Sequence, residues 1–176
     1  MRNQAARYLT ESRPLWSHRE NARVATPELL AIEMGKALVS DDRERITALA
    51  ATREEMKTML ETAWPPATEG DREYIRTKVA EILAERVADL ERFQAMKKAS
   101  GVKKDAAVRF ELIDLDKLYE KDGMKKIRHS HVRMIQTGAE GREESFVIKL
   151  DDMFLFPRGW AFTSIWPAIG REPSKE

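Results

Sequence analysis

Cysteine is absent from this chain of 176 residues, and histidine occurs only at positions 18, 129 and 131. Without cysteine there is no disulfide framework, no thiolate nucleophile and no thiolate metal site. No apolar run approaches the roughly 20 residues needed to cross a bilayer, so no membrane span is expected. Met1 to Val24 carries Arg2, Arg7, Arg13, Arg19 and Arg23 but lacks the apolar centre of a signal peptide. The compartment is the cytoplasm, or the periplasm if a leader has been removed. Excess charge of one sign is missing too. Thirty-one basic residues face 30 acidic ones for a net charge of +1, so no general attraction to nucleic acid or anionic membrane follows. Also missing are a Walker-type loop, a dinucleotide-binding glycine pattern, a nucleophile elbow and a metalloprotease helix motif. No cofactor is expected, and most common enzyme classes lack support.

What is present describes a soluble folded protein. Hydrophobic residues make up 42% and charged residues 35% of the chain, enough for one substantial core. Thr26 is an N-cap and Pro27 suits the first helical position. Leu30, Met34, Ala37 and Leu38 then give one apolar face of a helix ending near Ser40. Asp41 and Asp42 can cap a short helix over 43–50. Thr52 with Glu55 forms a capping box for a third helix, whose stripe Met56, Met59, Leu60 and Trp64 stops at Pro65-Pro66. The longest helix spans about 71–98, with Ile75, Val79, Ile82, Leu83, Val87, Leu90 and Phe93 along one face.

From Ala106 the period falls to two. Val108, Phe110 and Leu112 alternate with Arg109, Glu111 and Ile113, as in a half-buried strand. Asp122-Gly123 is a tight-turn signal before Met124 to Thr137. Ser145 to Asp151 and Met153 to Phe156 read as separate strands, and Pro157-Arg158-Gly159 closes a hairpin with Trp160 to Ser164. Helices first and strands second is the α+β arrangement, with helices covering one face of an antiparallel sheet. The expected organisation is an arm over 1–25, one α+β domain over 26–167 and a tail over 168–176.

Two stretches carry a family resemblance. Thr26-Pro27-Glu28-Leu29, Asp41-Asp42 and Thr52-Arg53-Glu54-Glu55 resemble the N-terminal half of many uncharacterised bacterial proteins. Phe146 to Asp152, followed by Gly159-Trp160-Ala161-Phe162, resembles their closing strands. Those proteins look like members of the nuclear-transport-factor-2-like (cystatin-like) superfamily. The resemblance implies a cone in which helices pack into a curved antiparallel sheet around a mostly apolar pocket. It does not choose among isomerases, dehydratases, transport adaptors and secretion-system parts.

Four groups of residues invite chemistry. His129 and His131 fall on the same face of a strand, about 6.5–7 Å apart, a spacing that can chelate one zinc ion given a third ligand; the plainer reading is two polar residues between Arg128 and Arg133. In a cone pocket, Asp114, Asp116, Tyr119 or His131 could transfer a proton, a carboxylate being favoured as base by desolvation. Asp114 and Asp116 also suit a turn at a strand end. Lys121, Lys125, Lys126, Arg128 and Arg133 could hold single-stranded nucleic acid, yet Asp116, Glu120 and Asp122 dilute their field, and lysines that protect a sheet edge explain them as well.

Last, residues 153–166 concentrate Met153, Phe154, Leu155, Phe156, Trp160, Phe162, Ile165 and Trp166. Since strands alternate, part of this set falls on the face away from the helices, with Phe154, Phe156 and Trp166 as interaction residues. The expected function is a non-enzymatic ligand- or protein-binding module, a homodimer associating through its sheet, with a small apolar ligand or a protein as partner. The alternative is a small-molecule isomerase or hydrolase using a carboxylate or histidine in the pocket.

Overall fold

A computed structural model of the chain describes residues 24–173; most of the expected arm, with His18, lies outside the described residues. Helix α1 (Pro27–Ser40) starts at Thr26, whose hydroxyl accepts from the Leu29 amide. Asp41 then takes a left-handed conformation, φ 54°, that turns the chain into α2 (Arg43–Leu49). The capping box predicted at Thr52 and Glu55 is present at the start of α3 (Arg53–Ala63). Helix α4 (Glu69–Ala99) has a second such box, Thr68 with Asp71, which the sequence reading lacked.

Six strands follow: β1 (Ala107–Leu115), β2 (Tyr119–Lys121), β3 (Met124–Thr137), β4 (Glu143–Phe156), β5 (Gly159–Phe162) and β6 (Ala168–Arg171). They form one strongly curled antiparallel sheet, and the α+β, cone-like class expected from the sequence is what the protein has. β3 and β4 are its long central pair. β1 and β2 pair with the two halves of β3, and β5 and β6 with the two halves of β4. The β2–β3 turn has positive φ at both Asp122 (52°) and Gly123 (73°), the mirror-image hairpin geometry that Asp-Gly supports.

Three expectations change. The segments over 145–151 and 153–156 are one strand, because Asp152 takes φ 57° and slips the alternation without breaking the ladder. Before the slip Phe146, Ile148 and Leu150 face the main core; after it Met153 does, while Phe154 and Phe156 face the other way. β3 slips alongside, so that Ile127 and then Ser130, Val132 and Met134 point to the helix side. The slip is held by Thr163, whose amide and hydroxyl both donate to the Asp152 carbonyl, and by the Lys126–Asp152 ion pair at 2.7 Å.

Second, the helices do not keep to one face. α1 and the later half of α4 fill the main core with Leu30, Met34, Leu38, Leu90 and Phe93. α3 and the earlier half of α4 wrap around the end of the sheet and cover its other face, packing Met56, Ile75 and Val79 on Phe156 and Ala161. Trp160 and Phe162 lie in the main core with Leu30 and Met34, Ile82 and Leu83 join the second cluster, and Ala161 and Thr163 are buried as well. Phe156 is buried in this second cluster and Phe154 half-buried beside it, so neither belongs to an open apolar patch. At the changeover on α4, the Arg86 guanidinium donates to the carbonyls of Ala51 (3.1 Å) and Thr163 (2.8 Å), and Val87 is left exposed. Trp64 leaves the α3 stripe to cap the helix, exposed, with its ring 5.2 Å from that of Tyr74.

Third, the tail expected over 168–176 is structured through Arg171: β6 pairs with β4, and Ile169 enters the core.

Trp160→Ala should lower stability by about 3–5 kcal/mol, as truncating a buried aromatic does, whereas the exposed Trp166→Ala should stay within about 0.5 kcal/mol of wild type. Denaturant melts compare the two directly. The same assay probes the slip. Asp152→Val forces a β-branched residue into the left-handed region and should cost about 1–3 kcal/mol more than Asp152→Asn, which tolerates it.

Candidate functional site

On β3, residues 130, 132 and 134 point to the helices, so His129, His131 and Arg133 point to the outer face. No described helix covers this part of the outer face; the second cluster stops at the other end of the sheet. Cross-strand register decides what each side chain meets there. His131 stands opposite Asp114 on β1, and its Nδ1 is 2.6 Å from the carboxylate. His129 stands opposite Asp151 on β4, also with Nδ1 at 2.6 Å. An ionised carboxylate only accepts hydrogen bonds, so facing one Nδ1 is the donor in each ring.

Each pair lies about one-third exposed on the histidine side, within reach of solvent. Lys149, across from His131 on β4, lies 3.7 Å from Asp151. The Asp151 amide donates to the carbonyl of Ile165, the residue before Trp166. Trp166 is 58% exposed with φ 35°, a conformation that a bulky side chain rarely adopts and that costs on the order of 1–3 kcal/mol.

The residues singled out from the sequence are partly united here. Asp114 and His131 make one pair. Asp116 contributes its backbone, donating to the His129 carbonyl at 2.9 Å, while its side chain is exposed. Tyr119 stands on β2 opposite Lys126, outside the cluster. Asp114 and His131 lie on the outer face, not in the interior of the cone. His129 and His131 share a face, but their rings are drawn apart, one toward β4 and one toward β1, which does not suit chelation. Among the described residues, no group of three His, Asp or Glu side chains is placed to hold a metal ion. Of the basic group, Lys126 pairs with Asp152, and Arg133 pairs with Glu172 and Glu111, so its charges are dispersed.

The rest of this face is a lattice of ion pairs. Arg109 grips Glu143 with both guanidinium nitrogens, crossing from β1 to β4 over β3. Arg133 donates to Glu172 at 2.8 Å and 3.0 Å, whereas the Arg171–Glu144 pair lies on the helix-facing side, in line with Ile169 and Phe146. The Arg109 hydrogen bond holds the Glu143 carboxyl below its ordinary value of 4.5, and Glu143 in turn raises Arg109. Gln136, buried under the end of β3, donates to Glu144 and lowers that carboxyl too. Glu172 raises Arg133.

Sequence reasoning missed Asp151, Glu172 and the Trp166 conformation. Only Asp151 had a signal: an acidic residue within the strand destined to pair with His129.

A carboxyl that titrates lower when folded stabilises the protein above its unfolded value and loses that contribution as pH falls through its folded value. Wild type should therefore exceed Arg109→Gln in stability at pH 7, and the gap should close below the ordinary 4.5 of Glu143. Melts of both proteins from pH 7 downward measure it, and added salt should narrow the gap at pH 7 because the pair is exposed.

No described helix is long and apolar enough to cross a membrane. No protein-family model, no curated protein and no solved structure matches this chain.

Proposed function

We propose that this protein is a non-enzymatic binding module that meets a protein partner on the outer face of its curled sheet. The observation that carries this reading is the contrast between the sheet's two faces. Apolar side chains of the helices fill one face, whereas the outer face of β1, β3 and β4 holds paired polar side chains in fixed geometry. Trp166 is exposed, one residue past the Ile165 carbonyl that accepts from the Asp151 amide. Tryptophan and arginine are the residues that most often carry the energy of a protein interface. Arg109 and Arg133, already oriented by Glu143 and Glu172, lose less side-chain freedom on binding than unpaired arginines would. The cone of the nuclear-transport-factor-2-like superfamily belongs to the same proposal, since its α+β order agrees with the curled sheet.

A second reading rests on one distance. The 2.6 Å contact of His131 Nδ1 with Asp114 leaves Nε2 able to take a proton, as a general base in a small-molecule isomerase or hydrolase would. On this reading the substrate would sit on the outer face, where water is not excluded.

Partner capture from a lysate of the source cells tests the first reading. Trp166→Ala and Arg133→Glu should each abolish capture, while Trp64→Ala, at the α3–α4 corner, should leave it intact. Capture indifferent to both outer-face changes removes the reading. Hydrolysis of an activated ester that is lost in His131→Ala would favour the second.

A further inference from the structure

β1 is the end strand of its half of the sheet: β3 lies on one side, and no described strand lies on the other. Such an edge offers a row of unpaired N–H and C=O groups to another strand. Natural edges are blunted by bulges, lysines or proline, and β1 has a bulge between Leu112 and Asp114. The stretch before it is regular, from Ala107 opposite Thr137 to Leu112 opposite Val132, and contains neither lysine nor proline. Val108, on the helix-facing side of that stretch, is 41% exposed, and the bulge residue Ile113 is 36% exposed.

We propose that two copies of this chain join through β1, antiparallel about a two-fold axis at Phe110, so that their sheets run on as one. The proposal rests on the reading of the sheet as the interaction element, but concerns its edge rather than its outer face. The occupant is a second copy because the sequence of β1 complements itself in only one register.

Continuity of both faces requires the axis to pass through a residue, since an axis between two residues sets helix-facing side chains against outer-facing ones. An axis at Arg109 opposes two arginines, and one at Glu111 opposes two glutamates, which is unfavourable for directly facing residues. With the axis at Phe110, Arg109 faces Glu111 of the second copy, and Glu111 faces its Arg109. On the helix side, Val108 faces Leu112 of the second copy, so the exposed valine is covered. Ala107 falls opposite Ile113. Every facing pair is then apolar with apolar or positive with negative.

Arg109 and Glu111 already pair with each other at 3.5 Å, and need not release that contact or their pairs with Glu143 and Arg133, because a guanidinium carries five donors and a carboxylate about four acceptor sites. The interface is isologous and closes after two copies, as symmetric dimers do. The bulge limits the shared ladder to the stretch before Asp114.

Sedimentation of the full chain tests this. Wild type should show a species of roughly twice the 20.3 kDa of one chain. Arg109→Glu, which makes the edge wholly acidic at these positions, should weaken association by roughly tenfold or more, and Glu111→Arg should do the same with the opposite sign. An equimolar mixture of the two variants should recover association, because each acidic edge then faces a basic one. Val108→Lys, at a position exposed in the single chain, should also weaken the dimer while the melting midpoint reports intact folding. A wild-type chain that stays single overturns the proposal. So does a dimer indifferent to Val108→Lys, or a mixture that associates no better than either variant alone. The outer-face capture experiment is kept distinct by its Trp166→Ala arm, since Trp166 is not in this edge, whereas Arg133 pairs with Glu111 there.

Discussion

A β-strand has two faces, and strict alternation commits each residue to one of them. The fold of this protein depends on breaking that commitment once, at Asp152. By taking φ 57° there, β4 delivers Leu150 and Met153 to one core and Phe154 and Phe156 to another. A non-glycine residue in this region is strained by on the order of 1–3 kcal/mol, and asparagine and aspartate are the side chains that tolerate it best. Thr163 and Lys126 hold the residue in place from two directions. Everything at that end of the molecule follows. α3 has a surface to cover, α4 runs over 31 residues to serve both clusters, and Arg86 closes the seam by donating to carbonyls of the α2–α3 junction and the end of β5.

Because the described helices go around only one end of the sheet, they leave the rest of its outer face uncovered. Its chemistry is charge and hydrogen bonding instead of burial. Exposed ion pairs add little to stability, commonly about 0–1 kcal/mol each, so stability alone does not account for a lattice that crosses from β1 to β4 and on to Glu172. What the lattice does is fix direction. Arg109, Arg133, His129 and His131 are each tied to a carboxylate on another strand or beyond it. Trp166, exposed in an unfavourable backbone conformation, is a second cost that packing does not explain.

Local chemistry made much of the architecture readable from the sequence. Thr26-Pro27 and the Thr52–Glu55 box mark helix starts because cap hydrogen bonds close within three residues. Asp122-Gly123 marks a hairpin because few residue pairs accept two positive φ angles. The change of period at Ala106 separates helices from strands, and the fold class follows from that order. The pairing of Asp114 with His131 was within reach too, as two candidates of complementary chemistry on neighbouring strands.

The rest was settled by contacts between segments far apart in the chain. Alternation read along residues 145–156 predicts a break where there is a slip, since Thr163, eleven residues on, and Lys126, on the neighbouring strand, hold Asp152 in place. Which face Phe154 and Phe156 take depends on α3 and α4 arriving from a hundred residues upstream, and no local pattern reports that arrival. Likewise, β6 forms because β4 offers it a free flank, and His129 and His131 lean apart because register places Asp151 and Asp114 on opposite sides of β3. The sequence by itself determined the elements, their caps and their order, since those interactions reach only three or four residues. Tertiary structure alone decided which faces are covered and which side chains meet, since both depend on register across strands.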